Sequence, residues 1–453
     1  MKGRARESHR PLIFFAVLLA LLSSFEALTV ELDEERSSEI SRFQQYLQIN
    51  TSQPNPNYQE AADFILSLAK TLNLESEKVD FVSGKPVVLL KWPGKNPTLP
   101  SILLNSHTDV VTTEDHKWIH PPFLAHINSE GNIFARGSQD MKCVGMQYLE
   151  AIRRLKKAGF EPTRTVYLSF VPDEEIGGHG GAEPFSQSDT FKKMNVGIVL
   201  DEGLASPDEN YRAFYGERSP WWLAIKAFGS PGHGARLYDN TAMENLLKSL
   251  ESIRRFRAAQ FDTVKSGAKE EGEVISVNMV FLKAGTPSPS GFVMNVQPSQ
   301  AEAGFDIRVP PNALHDLLEQ KIMEEWAPSS RNMTFEFKQK NFGRDVFGKP
   351  AVTVADNSNP WWTLLEEAVK KAGGKLRKPE IFPASTDARY FREQGLPAIG
   401  FSPMANTPIL LHDHNEFLNQ EEYLKGITVY ESIIEAYASF VDSTAIDASK
   451  DEL

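Results

Sequence analysis

Ile102-Leu103-Leu104-Asn105-Ser106-His107-Thr108-Asp109 is an apolar run that ends abruptly in an imidazole, a hydroxyl and a carboxylate. A short run of large aliphatic residues reads as a buried strand. Polar groups at the carboxyl end of such a strand are the mark of an open α/β sheet, where ligands collect. The design recurs along the chain. Residues 165–171 lead into Asp173-Glu174-Glu175-Ile176-Gly177-Gly178, and residues 196–200 lead into Asp201-Glu202-Gly203. Leu410-Leu411 leads into His412-Asp413-His414-Asn415-Glu416. A fifth segment, Ala135-Arg136-Gly137-Ser138-Gln139-Asp140-Met141-Lys142, runs into residues 140–158, which are helical by period. Tyr148, Leu149, Ile152 and Leu155 form the apolar face of that helix.

Working outward, residues 31–72 read as two amphipathic helices separated by the turn-rich Thr51-Ser52-Gln53-Pro54-Asn55-Pro56-Asn57. Further strands are expected at residues 86–92, 101–106 and 132–136. Strands alternating with helices imply an α/β sheet covered by helices. Near Gly216 the pattern changes: residues 222–228, 274–282, 292–296 and 301–309 read as strands, with helices at 240–258 and 312–326 between them. That is a compact α+β unit. After about Met333 the first pattern resumes, with a helix at 361–372, a strand at 398–401 and a final helix at 420–440. A chain of 453 residues exceeds what one core usually organises. The expected organisation is therefore a split α/β domain with a mixed sheet, residues 28–215 and 336–445, interrupted by an inserted α+β domain at 216–335.

At a strand end, residues two apart point the same way, so His107 and Asp109 share a face. A carboxylate behind an imidazole fixes its tautomer for metal binding; an HxD at a strand end also has a purely structural reading. Asp140 opens a helix and could simply cap it. Asp173, Glu174 and Glu175 are three adjacent acids that need positive charge nearby, or water around a solvated loop. Each segment is weak alone. Together they bring two imidazoles and several carboxylates to one sheet edge, a donor set that suits paired zinc ions with a bridging carboxylate. No HExxH, GxSxG, Walker loop or CxxC competes for the chemistry.

The ends carry addresses. Lys2, Arg4, Arg6 and Arg10, the apolar run 11–22 and Ser23-Ser24 read as a signal peptide over residues 1–27. The run is short of the ~20 residues that a spanning helix needs; a signal anchor is the alternative. The tail, 446–453, closes on Lys450-Asp451-Glu452-Leu453, the address read by the KDEL receptor, and the two ends together name the lumen of the endoplasmic reticulum. Asn50 and Asn332 begin glycosylation sequons usable in that compartment. Cys143 is the single cysteine, so no intrachain disulfide forms. A net charge of -12 argues against a general nucleic-acid binder, and no spanning segment is expected in the mature chain.

The strings His107-Thr108-Asp109, Gly137-Ser138-Gln139-Asp140-Met141-Lys142, Asp173-Glu174-Glu175-Ile176-Gly177-Gly178, Asp201-Glu202-Gly203 and His412-Asp413-His414-Asn415-Glu416 closely resemble the aminoacylases. These belong to a dizinc family that includes carboxypeptidase G and succinyl-diaminopimelate desuccinylase. The likeness runs from about Glu34 to about Ser439 and includes Glu217-Arg218-Ser219-Pro220-Trp221-Trp222 and Ser230-Pro231-Gly232-His233. It implies zinc-dependent hydrolysis of N-acyl-L-amino acids to a free amino acid and a carboxylic acid, with two Zn2+ per subunit. A dipeptidase, or an amidohydrolase of another conjugated amino acid, is the alternative within the class. A luminal binding protein on a retired enzyme scaffold would show a lost ligand or base, and none is lost.

The resemblance also implies roles. His107 and Glu202 would hold one zinc and Glu175 and His412 the other, with Asp140 bridging. Asp109 would support His107. Glu174 would be the general base, or, with its duties exchanged, a further ligand. The insert would serve as a lid and dimerisation domain, from which His233 polarises the scissile carbonyl in the neighbouring subunit of a homodimer. Asn295 would bind substrate there, and Arg389 would clamp the substrate carboxylate or else form an internal ion pair.

Overall fold

Residues 33–441 are described by a computed structural model; the expected signal segment and the terminal Lys450-Asp451-Glu452-Leu453 lie outside the described residues. The strand Ser101–His107 is buried at every position. It lies inside an eight-stranded sheet, parallel to Val166–Val171 on one side and to Val196–Asp201 on the other. The full order is Glu75–Val82, Lys85–Trp92, Val166–Val171, Ser101–His107, Val196–Asp201, Ala398–Phe401, Ala213–Glu217 and Glu380–Phe382. Parallel and antiparallel pairs both occur, so the sheet is mixed.

Alternation along the strands divides the core. Ile102, Leu104, Leu168, Phe170 and Leu200 pack on one face against a layer of helices that includes Lys142–Lys157 and Gln420–Ser439. Leu103, Val171 and Val199 pack on the other face against Phe185, Phe191 and Phe391, from short helices. The two long helices cross closely because Gly426 has no side chain; a Cβ there would lie 2.0 Å from Gln147 Nε2.

Residues 219–340 build a second, antiparallel sheet in the order Ser276–Ala284, Gln300–Val309, Ser219–Phe228, Met333–Lys340. The helix Ala242–Lys265, capped by Thr241 Oγ1 accepting from Glu244 N at 3.2 Å, covers one face. His315–Lys321 continues into a π-helical turn, Ile322–Trp326, over the same core of Trp221, Ile225, Ile253, Phe305 and Trp326. Ser276–Ala284 is an edge strand, and Met279, Val280, Phe281 and Leu282 on it are exposed.

Three features depart from the sequence-based expectation. Glu75–Val82 is a strand that hydropathy hides, because it is an edge strand exposed along most of its length. Residues 292–296 are no strand; Gly291–Phe292 and Val296–Gln297 instead close two separate two-residue pairs. Met333–Lys340 pairs with Ser219–Phe228, so the insert's sheet runs past residue 335 to Lys340. No helix among the described residues is long and apolar enough to cross a membrane.

Candidate metal centre

His107 ends its strand fully buried, and Asp140 and Glu202 meet it from two other segments. Its Nε2 lies 3.0 Å from Asp140 Oδ1 and 3.7 Å from Glu202 Oε2. Its Nδ1 lies 2.9 Å from the backbone carbonyl of Asp109, whereas the Asp109 carboxylate stands 3.8 Å away. The carbonyl, rather than the carboxylate expected from the HxD spacing, fixes the tautomer: Nδ1–H donates, and Nε2 keeps its lone pair for a ligand. The Asp109 carboxylate turns instead to the amides of Glu174 and Glu175, at 3.1 and 3.2 Å.

The helix after Asp140 begins at Lys142, with Met141 at the cap position and no side-chain cap bond. Asp140 is thus not a helix cap. Its two oxygens face two imidazoles: Oδ1 lies 3.0 Å from His107 Nε2 and Oδ2 lies 3.3 Å from His412 Nε2. His412 Nε2 is also 3.1 Å from Glu175 Oε2. Two donor groups result, His107–Asp140–Glu202 and Asp140–Glu175–His412, each with ligand atoms within 4.8 Å of one another. They share Asp140. Glu174 joins neither group.

The electrostatics follow from burial and from the crowding of like charges. Burial, then Asp140, pushes Glu175 up to about 7 and Glu202 well above the usual carboxylate range. Burial, then Glu202, does the same to Glu174. Burial also works against Asp140, but hydrogen bonds to His107 and His412 outweigh it and hold that carboxyl well below its ordinary value. Hydrogen bonds to Asp140 and Glu175 raise His412 to about 10. Two imidazole nitrogens and clustered carboxylate oxygens around a shared Asp140 fit a pair of divalent ions.

The remaining candidates lie around this centre. Arg389 donates from Nη2 to the Gly177 carbonyl at 3.0 Å and to the Tyr390 hydroxyl at 3.3 Å, rather than to a carboxylate. Gly177 belongs to the turn just after Glu175, so the guanidinium stands beside the acidic segment. The helix that carries Arg389, Ala388–Glu393, and the turn before it are pinned by Glu217, which accepts from Thr386 N, Thr386 Oγ1 and Arg392 Nη1, each at 2.9 Å. His233 is exposed on the insert and pairs with Val296; its Nδ1 accepts from Ala235 N at 3.1 Å. Asn295, also exposed, accepts from Gly234 N through its carbonyl at 2.7 Å, so the two residues share one rim of the insert. Neither belongs to the groups around Asp140. Asn50 and Asn332 are both exposed, and Asn332 adopts a positive φ of 52°.

Sequence reasoning missed several supports. Glu416 is fully buried, pairs with Arg136 Nη1 at 2.6 Å, and accepts from Gln139 N at 2.6 Å and Asp140 N at 3.3 Å. Arg136 and Glu416 sit inside quoted motifs, but their pairing spans 280 positions and nothing local signals it. Gln53 and Tyr58, which reach Asp109 and Asp173, carry no motif at all.

Comparison with known proteins agrees with this geometry. The model of peptidase family M20/M25/M40 matches residues 103–436. The chain is 44% identical over 413 residues to Aminoacylase-1 of Mus musculus, covering 91% of this chain and 98% of that one. It is 45% identical over 408 residues to Aminoacylase-1 of Dictyostelium discoideum, covering 88% and 97%. Among solved structures, aminopeptidase PepT from Bacillus cereus aligns with a TM-score of 0.68 at 16% identity, covering 89% of this chain and 99% of that one. Human carnosine dipeptidase 1 aligns at 0.61 with 14% identity, covering 91% and 99%. At those identities the structures speak for the fold; the family match and the near full-length relatives speak for descent. With Asp140 shared between two histidine-bearing donor groups at the edge of that fold, this chain belongs to peptidase family M20/M25/M40.

Proposed function

We propose that the chain is a metal-dependent aminoacylase that hydrolyses N-acyl-L-amino acids to a free L-amino acid and a carboxylic acid. The observation that carries the hydrolytic chemistry is Asp140, whose two oxygens face two separate imidazoles, each with a further glutamate. The substrate class comes from relatives named Aminoacylase-1 that match almost end to end.

His107, Glu202, Glu175 and His412 would hold two zinc ions, with Asp140 between them. Bound cations would acidify a water and polarise the scissile carbonyl. Glu174, buried near the donor groups but in neither, takes the water's proton and delivers it to the departing nitrogen. Arg389, with a planar fork that meets a carboxylate bidentately, holds the carboxylate of the amino-acid half. His233 and Asn295 act from the partner subunit of a homodimer. Their exposure supports this, as do the exposed apolar residues along the edge strand Ser276–Ala284 of the same insert.

The signal sequence and the terminal KDEL support residence in the lumen of the endoplasmic reticulum through the KDEL receptor, with Asn50 and Asn332 available for glycosylation. One experiment tests the chemistry: turnover of N-acetyl and N-lauroyl amino acids and of dipeptides by wild type, Glu174→Gln and Glu175→Gln, with metal content measured on each. Glu174→Gln should keep its metals and lose about 10²–10⁴-fold in turnover, whereas Glu175→Gln should lose metal as well. Dipeptides cleaved in preference to N-acyl amino acids would replace the aminoacylase reading.

A further inference from the structure

The turn that carries Glu174 and Glu175 is held by a relay that begins outside every motif, at Gln53 and Tyr58. Asp173 precedes that turn, where an aspartate would ordinarily cap it, but its side chain makes no cap bond. It points away, accepting from the Tyr58 hydroxyl at Oδ1 (2.6 Å) and pairing with Lys85 through Oδ2. The Tyr58 oxygen in turn accepts from Asp173 N at 3.0 Å, clamping that residue in a left-handed conformation with φ of 68°. The amides left uncapped are those of Glu174 and Glu175, and both donate to Asp109, to Oδ1 and Oδ2 respectively. Asp109 Oδ2 also accepts from Gln53 Nε2 at 2.9 Å, and the same nitrogen lies 3.1 Å from the Tyr58 hydroxyl. Tyr58, Asp109 and Asp173 are all buried.

We propose that Tyr58 and Gln53 are positioning residues for the general base: by fixing Asp173 and Asp109 they decide which of two adjacent glutamates faces the reacting centre. The proposal rests on the aminoacylase reading and deepens it. Adjacent carboxylates on a loose turn can exchange tasks. Here the backbone is tied on both sides, at Asp173 by Tyr58 and at the two following amides by Asp109. Glu175 is tied once more, its Oε1 accepting from Val111 N at 3.2 Å, which leaves Glu174 dependent on the backbone relay for its aim.

Tyr58→Phe keeps the ring and removes all three hydroxyl bonds, to Asp173 Oδ1, from Asp173 N and from Gln53 Nε2. In the metal-loaded enzyme kcat should fall about 10–100-fold, as supports of this kind do on removal, with KM within about twofold because substrate binding is untouched. Metal content should stay at the wild-type ratio. Gln53→Glu, which swaps the donor for a second carboxyl oxygen against Asp109, should produce the same split and stands in if Tyr58→Phe folds poorly. Tyr46→Phe is the control: it removes another buried hydroxyl near the site, one with no partner among the described residues, and should leave kcat unchanged. Glu174→Gln is run beside them. If it abolishes turnover while Tyr58→Phe and Gln53→Glu retain wild-type kcat, the relay is overturned alone. Turnover that survives Glu174→Gln overturns the base assignment and the positioning role with it. A kcat loss that follows metal loss and is restored by excess zinc also overturns the proposal, because the ligand rather than the base was then being held.

Discussion

Replacing Arg136 by methionine should damage stability and metal binding together. The guanidinium donates from Nη1 to Glu416 Oε2 at 2.6 Å and from Nη2 to the His412 carbonyl at 3.2 Å, with both side chains of the ion pair buried. Glu416 in turn receives the amides of Gly137, Gln139 and Asp140 at 3.3, 2.6 and 3.3 Å. One ion pair therefore ties the loop of the shared Asp140 to the loop of His412. Removing one partner of a buried pair costs about 3–5 kcal/mol. The three amides that remain on Glu416, and the methionine filling the stem's volume, place the loss near the lower bound. At about 2–4 °C per kcal/mol for a large domain, the melting temperature should drop by about 6–12 °C. Glu416→Ala should cost more, since it leaves the buried guanidinium without its counter-charge and three amides without their acceptor at once.

The pH dependence has a definite sign. Burial raises the Glu416 carboxyl above its ordinary value even beside Arg136. Without that cation it rises further, so the folded variant holds a proton more tightly than the unfolded chain does. Such a group contributes stability in acid and loses it as pH rises through the folded value. The gap between variant and wild type should thus narrow towards pH 5 and widen towards pH 8. Calorimetry at both pH values, with a competitive zinc titration, reads all of this; affinity for metal should fall about 10–100-fold. A variant within 2 °C of wild type at pH 8 with unchanged affinity would refute the tethering argument.

The other expectations are quickly stated. Stripping metal should abolish turnover, and zinc should restore it; the stripped protein should lose stability as pH rises through about 7, where Glu175 sheds its proton, and on towards about 10, where His412 does. Both groups have raised values, so their contributions are present in acid and lost on that climb, and a melting curve flat between pH 6 and 9 would contradict it. Glu174→Ala and His233→Ala, each inactive, should regain roughly a quarter of wild-type activity when mixed as exchanging subunits, since half the dimers then carry one complete site. No recovery in demonstrated mixed dimers would place His233 in its own subunit's chemistry. Deleting Lys450–Leu453 should release the chain into the medium, and continued retention would point to an N-terminal anchor.

The strand ends were legible because burial and chemistry meet there within a few residues. Ile102–His107 and residues 196–202 announce both the sheet and its ligands by an abrupt change from apolar to ionisable groups. What stayed hidden is of two kinds. Glu75–Val82 and Met333–Lys340 are edge strands, whose side chains need not follow a hydrophobic pattern because water covers much of them. The supports Gln53, Tyr58, Arg136 and Glu416 are defined by pairings 56 to 280 positions apart, which periodicity cannot see. Asp109 was half legible: the HxD spacing places it by His107, but its carbonyl, not its carboxylate, meets the ring.

That division has a physical cause. Asp140, Glu174, Glu175 and Glu202 are held close together, with Asp201 and Asp387 buried nearby and Arg389 the one guanidinium set against Glu174 and Asp387 among the described groups. Such crowding is unfavourable wherever the acids are ionised. The fold confines it to one edge of the large sheet, where the strands have already buried their apolar residues and only loops must bear the repulsion. Loops have few contacts of their own, so each acidic segment needs an external tie: Arg136 and Glu416 for Asp140, Asp109 for the Glu174 turn, Asn105 for Asp201. The ties keep the carboxylates from relaxing apart, and a site that cannot relax keeps its repulsion until metal arrives. The ligands must then give up their raised protons, which makes binding strongly pH-dependent. Because only the folded chain presents them together, the metals would stabilise that state by mass action.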